Sequence, residues 1–80
     1  MNRNLQTKGQ VSAISYPGQD TAPMVSVHLD TETGTYLLHF QSRRELYGVA
    51  IGDTLLVSGS VVLHNGVPVL FNPEYEILAK

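Results

Sequence analysis

Eighty residues carry one domain with a single core, and a chain of that size buries only about 60–65% of the surface it exposes when unfolded. Cysteine is absent, which excludes disulfides and thiolate metal sites, and 42% hydrophobic against 15% charged residues argues against disorder. A formal net charge of −2 and a pI near 5.8 argue against a uniformly basic, salt-driven nucleic-acid binder and leave room for a locally positive face.

No apolar run approaches the roughly 20 residues that cross a bilayer. Met1 to Lys8 is polar and lacks the apolar core of a secretion signal. The expectation is a soluble cytoplasmic domain over residues 1–80, with a flexible stretch over 1–8 and no membrane partner.

Strand signal then runs through almost the whole chain. Gly9–Tyr16 (GQVSAISY) is rich in β-branched and small residues and ends at the turn pair Pro17-Gly18. After the polar loop Pro17–Ala22, Pro23–Asp30 alternates, with Val25, Val27 and Leu29 on one face and Met24, Ser26 and His28 on the other. Thr31-Glu32-Thr33-Gly34 reads as a hairpin loop with glycine at its end, and Thr35–Gln41 leads away from it. If Asp30 faces Thr35, then Leu29 pairs with Tyr36, Val27 with Leu38 and Val25 with Phe40. That register places six large apolar residues on one face and leaves Met24, Ser26, His28, Leu37 and His39 on the other. A slip of one residue would scatter both sets.

Between Ser42 and Ile51 the period changes. Arg43-Arg44-Glu45-Leu46-Tyr47 predicts one helical turn, with Ser42 as N-cap and Gly48 as stop. Thr54–Leu63 is again a strand, with Leu55, Val57, Gly59 and Val61 in phase. His64-Asn65-Gly66 is a strong hairpin signal. Val67–Phe71 follows and, after Asn72-Pro73, Glu74–Leu78. The reading counts five strands, one short helix between the third and fourth, and two hairpins.

The order β-β-β-α-β-β at this length predicts an all-β, five-stranded Greek-key barrel of the oligonucleotide/oligosaccharide-binding (OB) fold. An SH3-like barrel is the alternative, although its helical turn usually precedes the last strand. Gly59, inside an apolar strand, is expected to mark a sharp bend or a close backbone approach.

GTYLLHF (Gly34–Phe40), IGDTLLVSGSV (Ile51–Val61) and NPEYE (Asn72–Glu76) resemble, in this order, the nucleic-acid-binding OB-folds of the anticodon-binding and helicase-wedge type. The similarity is greatest to the wedge domain of RecG-type branch-migration helicases and to small stand-alone bacterial proteins, and it covers roughly Gly9–Leu78. It implies a binding module. No ATP-binding motif or helicase motor accompanies it, so the helicase activity is not implied.

The inventory of reactive side chains points to no enzyme. There is no Gly-Lys pair for a P-loop, no serine in a G-x-S-x-G elbow, and no facing carboxylate pair. His28 and His39 share a face but lack a third ligand, so no metal or other cofactor is expected.

An OB-fold holds single strands on the outer face of its second and third strands by aromatic stacking and a positive groove. The candidates are Lys8, Tyr16, His28, Leu37, His39, Arg43, Arg44 and His64. Arg43 and Arg44 are the only adjacent basic pair, Lys8 could track a backbone phosphate, and His64 tips the last hairpin. Tyr36 and Phe40 are expected inside, and Tyr47 and Tyr75 over the barrel ends. Weak binding of single-stranded DNA or RNA is the favoured function. A protein-interaction or assembly module on the same face, including a homodimer through Met24 and Leu37, is the alternative.

Overall fold

A computed structural model describes residues 3–80. Six strands follow one another: β1 (Arg3–Ser15), β2 (Met24–Thr31), β3 (Gly34–Gln41), β4 (Thr54–His64), β5 (Val67–Phe71) and β6 (Glu74–Ala79). Five of them close a ring. β1 pairs with β2, β2 with β3, β5 with β4 and β4 with β1, all antiparallel, and β3 joins β5 in parallel. β6 lies outside this circuit, against the first half of β4.

The β2–β3 ladder has the expected register: Leu29 opposite Tyr36, Val27 opposite Leu38 and Val25 opposite Phe40. Val25, Val27, Leu29 and Leu38 are wholly buried, Phe40 is nearly so, and Tyr36 is half-buried against them. Leu55, Val57 and Leu70 fill the ring from the other side. The last hairpin turns on Asn65 (φ 52) and Gly66 (φ 80), the two positive dihedrals of the tight turn that matches strand twist.

Five sequence expectations are corrected. The first strand begins at Arg3 rather than Gly9, its residues 3–8 pairing with β4 over Val61 to Leu56; residues 1 and 2 lie outside the described range. The final stretch is two strands, because Asn72 takes φ 51 and Pro73 supplies no amide donor, so the ladder breaks between β5 and β6. The helical turn after Ser42 is absent. Ser42 has φ 62, outside the extended region an N-cap needs, and the segment 42–53 runs as an irregular plug. Gly59 makes no close approach, since a Cβ there would meet Pro73 and Leu70 at ordinary contact distances of 3.5–3.6 Å. Tyr47 covers nothing and is 82% exposed.

The close approach belongs to Gly9. There β1 passes from its pairing with β4 to its pairing with β2, and a register shift follows between Val11 and Ala13. A Cβ on Gly9 would stand 2.5 Å from the Asp30 carbonyl oxygen and 2.9 Å from the Leu29 side chain. A curved ring needs such a glycine and bulge at its corner.

Leu46 and Val49, both buried, are the apolar faces of the plug. Polar ties hold it under the ring. The Arg44 guanidinium donates to the carbonyls of Gly18 (3.1 Å) and Thr21 (3.3 Å), joining the plug to the β1–β2 loop. The buried Asp53 carboxylate accepts from the Ala50 amide at 2.9 Å and faces the Lys80 ammonium at 3.5 Å.

Candidate functional site

Because side chains alternate with period two, the ladder that sends Val25, Val27, Leu29, Leu38 and Phe40 inward sends Met24, Ser26, His28, Leu37 and His39 outward. The parallel register of β3 with β5 extends this outer face, setting Val69 beside Leu37 and Phe71 beside His39. The β4–β5 hairpin continues it with Val62 opposite Val69 and His64 opposite Val67. Across the strands this gives a row of Ala13, His28, Leu37, Val69 and Val62. Val69 points away from the core yet is only 1% exposed, so the outer face has a small apolar layer of its own.

Phe71 leaves 44% of its surface open and meets the His39 ring edge-on, with centroids 5.3 Å apart and planes at 85°. Asn72 fixes this pair. Its amide donates to the His39 carbonyl at 2.7 Å, its Oδ1 accepts from the Gln41 amide at 2.8 Å, and its Nδ2 donates to Gln41 Oε1 at 3.0 Å. Asparagine tolerates the left-handed backbone required there.

The electrostatics of the face are those of its histidines. Burial first, then the neighbouring His64 and His28 charges, hold the His39 pKa below the ordinary imidazole value, which favours the neutral ring near pH 7. His28 Nδ1 is buried without a hydrogen-bond partner. Among the described residues, no group of three or more His, Asp or Glu is arranged to hold a metal ion.

Of the eight residues singled out in the sequence, His28, Leu37, His39 and His64 come together here. Tyr16, Arg43 and Arg44 gather instead at the plugged end. Tyr16, Arg44, Glu45, Leu46 and Tyr47 line an open cleft of about 380 Å³. Arg44 is committed to two backbone carbonyls, and Arg43 lies 5.8 Å above the Phe40 ring, which is itself edge-on to Tyr75. The neighbouring Glu45 carboxylate raises the pKa of Tyr47. Lys8 stands on another part of the ring, in a row with Leu56 and Glu76.

Phe71 and Asn72 are the site residues that sequence reasoning did not place. VPVLF has no alternation to assign its faces, and only the pairing of β5 with β3 shows that Leu70 points in and Phe71 out. At the mouth opposite the plug, Leu5, Tyr36, Val61, Leu63 and Pro68 line an apolar cleft of about 500 Å³.

Among the described residues no helix is long and apolar enough to cross a membrane. No protein-family model matches the chain, and no curated protein matches it at a significant level.

Proposed function

We propose that the chain is a non-catalytic OB-fold module, related in function to the bacterial wedge-type domains its motifs resemble, that binds single-stranded nucleic acid in the cytoplasm weakly and without strong sequence preference. The ring order β1-β2-β3-β5-β4 is the one such a barrel requires. The observation that carries the reading is the open outer face on which Leu37, His39 and the exposed Phe71 lie side by side. Aromatic and apolar side chains arrayed this way stack bases, each base contributing about 1–3 kcal/mol regardless of its identity.

Charge plays the smaller part near pH 7. The net charge is −2, Arg44 and Lys80 are tied to the protein, and β2, β3 and β5 contain no lysine or arginine. Affinity at physiological salt is therefore micromolar or weaker, with a shallow dependence on salt.

An NMR titration with a short oligothymidine at low salt tests this. Amide shifts are expected around Leu37, His39 and Phe71, and Phe71→Ala should weaken binding at least about fivefold, the equivalent of one lost stacking contact. No shift with excess oligonucleotide would end the nucleic-acid reading.

A second reading is then next in line. Exposed Val62, Leu63 and Val67 beside the apolar mouth suit a protein-interaction or assembly module, including self-association. Sedimentation equilibrium at tens of micromolar separates a dimer from a monomer.

A further inference from the structure

All three histidines of the chain fall on one face, where strand pairing brings them from three different strands. His28 and His39 are diagonal neighbours across β2 and β3, and His64 closes the same side at the end of β4. Other charges near this face are few. β2 contributes Asp30, whose carboxylate accepts from the Thr35 hydroxyl at 2.9 Å, and the β2–β3 turn contributes Glu32. β3 offers no further charged side chain, and its Tyr36 packs inward; β5 and the stretch of β1 along β2 (Gln10–Ser15) have none. The part of β4 that borders β5 has only His64.

We propose that acid switches this face on: protonation of His28, His39 and His64 turns a neutral stacking surface into a cationic one that holds the phosphates of a single strand. The inference rests on the nucleic-acid reading above and adds its regulation. A protonated imidazole keeps its ring faces for stacking and gains a second N–H donor, so at His39 and His64 the two kinds of contact coexist, while at His28, whose Nδ1 is buried, the proton adds charge to the face. The chain's formal charge passes from −2 to +1 as three protons are added to the histidines.

In the free protein, burial first and then the nearby His64 and His28 charges hold the His39 pKa low. A polyanion laid across the face relieves the repulsion. Binding therefore takes up protons, and affinity rises as pH falls.

Fluorescence anisotropy with labelled oligothymidine at pH 7.5 and 5.5, over a range of salt, tests the switch. Neither thymine nor the phosphodiester titrates in that window. Uptake of about half to one proton gives a rise of about ten- to hundredfold in affinity. The slope of log K against log salt should steepen by about 2 at pH 5.5, from roughly 0.7 per new phosphate contact. The variant H28Q/H39Q/H64Q should lose both changes, each read against its own affinity and slope at pH 7.5, where loss of the His39 ring weakens binding. H64Q alone, at an exposed hairpin end, should remove about 0.7 of the slope and serves if the triple variant fails to fold, as judged by amide dispersion.

Equal affinity and slope at both pH values would overturn the switch and leave the nucleic-acid reading standing. A rise that survives in the triple variant would assign it to other groups and also overturn the switch. Absence of binding at both pH values would remove both.

Discussion

The inner and outer faces of β2, β3 and β5 are built from alternating residues of the same strands, yet they answer to different demands. Inward go Val25, Val27, Leu29, Leu38, Phe40 and Leu70, all buried. Outward go His28, Leu37, His39 and Phe71, all partly open, with Val69 alone sealed among them. Period-two geometry lets one hairpin and its neighbour hold the core together on one side and present a mixed aromatic, apolar and titratable surface on the other. Substitutions one residue apart should therefore fail in different ways.

The largest expected effect comes from adjacent leucines. Leu38→Ala removes a wholly buried side chain from the middle of the ring and should cost about 2–5 kcal/mol, a large share of what so small a domain has. Leu37→Ala, its outward neighbour, should cost about 1 kcal/mol or less in urea unfolding and weaken oligothymidine binding instead. Equal losses of stability would break the distinction between the faces.

Gly9→Ala tests the corner that bends the ring. The added methyl would meet the Asp30 carbonyl and the Leu29 side chain, so β1 or β2 must shift, at about 1–3 kcal/mol. Gly59→Ala, with ordinary contact distances around its Cβ, is the control and should stay within about 1 kcal/mol. If both glycines tolerate alanine equally, the ring does not turn at Gly9.

Val69→Ala sharpens the comparison, because Val69 is buried but belongs to the outer layer. Its loss should cost about 1–2 kcal/mol, between the inner and outer leucines. It should also loosen the surface between Leu37 and Val62, seen as altered shifts for both without a global change in the spectrum.

What the sequence made legible follows the same division. Alternation of Val25, Val27 and Leu29 against Tyr36, Leu38 and Phe40 specifies one register, and Asn65-Gly66 names its own turn, so the core and both hairpins could be read in advance. The plug could not. Arg43 to Tyr47 has helix-forming residues, but Arg44 satisfies the carbonyls of Gly18 and Thr21, and Leu46 and Val49 must reach the ring's interior. These tertiary demands outweigh local propensity. The start of β1 was equally opaque, since only Leu5 and Thr7 alternate among polar neighbours over residues 3–8. His28, Leu37 and His39 share one face because strand parity was readable, and the β4–β5 pairing adds His64; Arg43, Arg44, Tyr16 and Lys8 lie elsewhere, because loop paths and the curvature of β1 decide their positions.

The smallest expected effect is the pH dependence of stability, and it comes from the outer face alone. The folded state holds the His39 pKa below the ordinary value that the unfolded chain shows, so the unfolded state binds more protons across that interval. Stability is then fully present above the unfolded histidine pKa of about 6.5 and is lost as pH falls through the lower folded value. The loss is modest because His39 is partly exposed and solvent screens its neighbours. The midpoint of urea unfolding should therefore drift down between pH 7.5 and 5.5, and His39→Gln should flatten the drift while leaving the pH 7.5 midpoint nearly unchanged. Saturating oligothymidine should reverse the drift in the wild type, since a ligand that takes up protons stabilises the folded state most where pH is lowest. A midpoint that rises on acidification without ligand would mean that the folded protein already holds the extra protons, and the face would be cationic before any strand reached it.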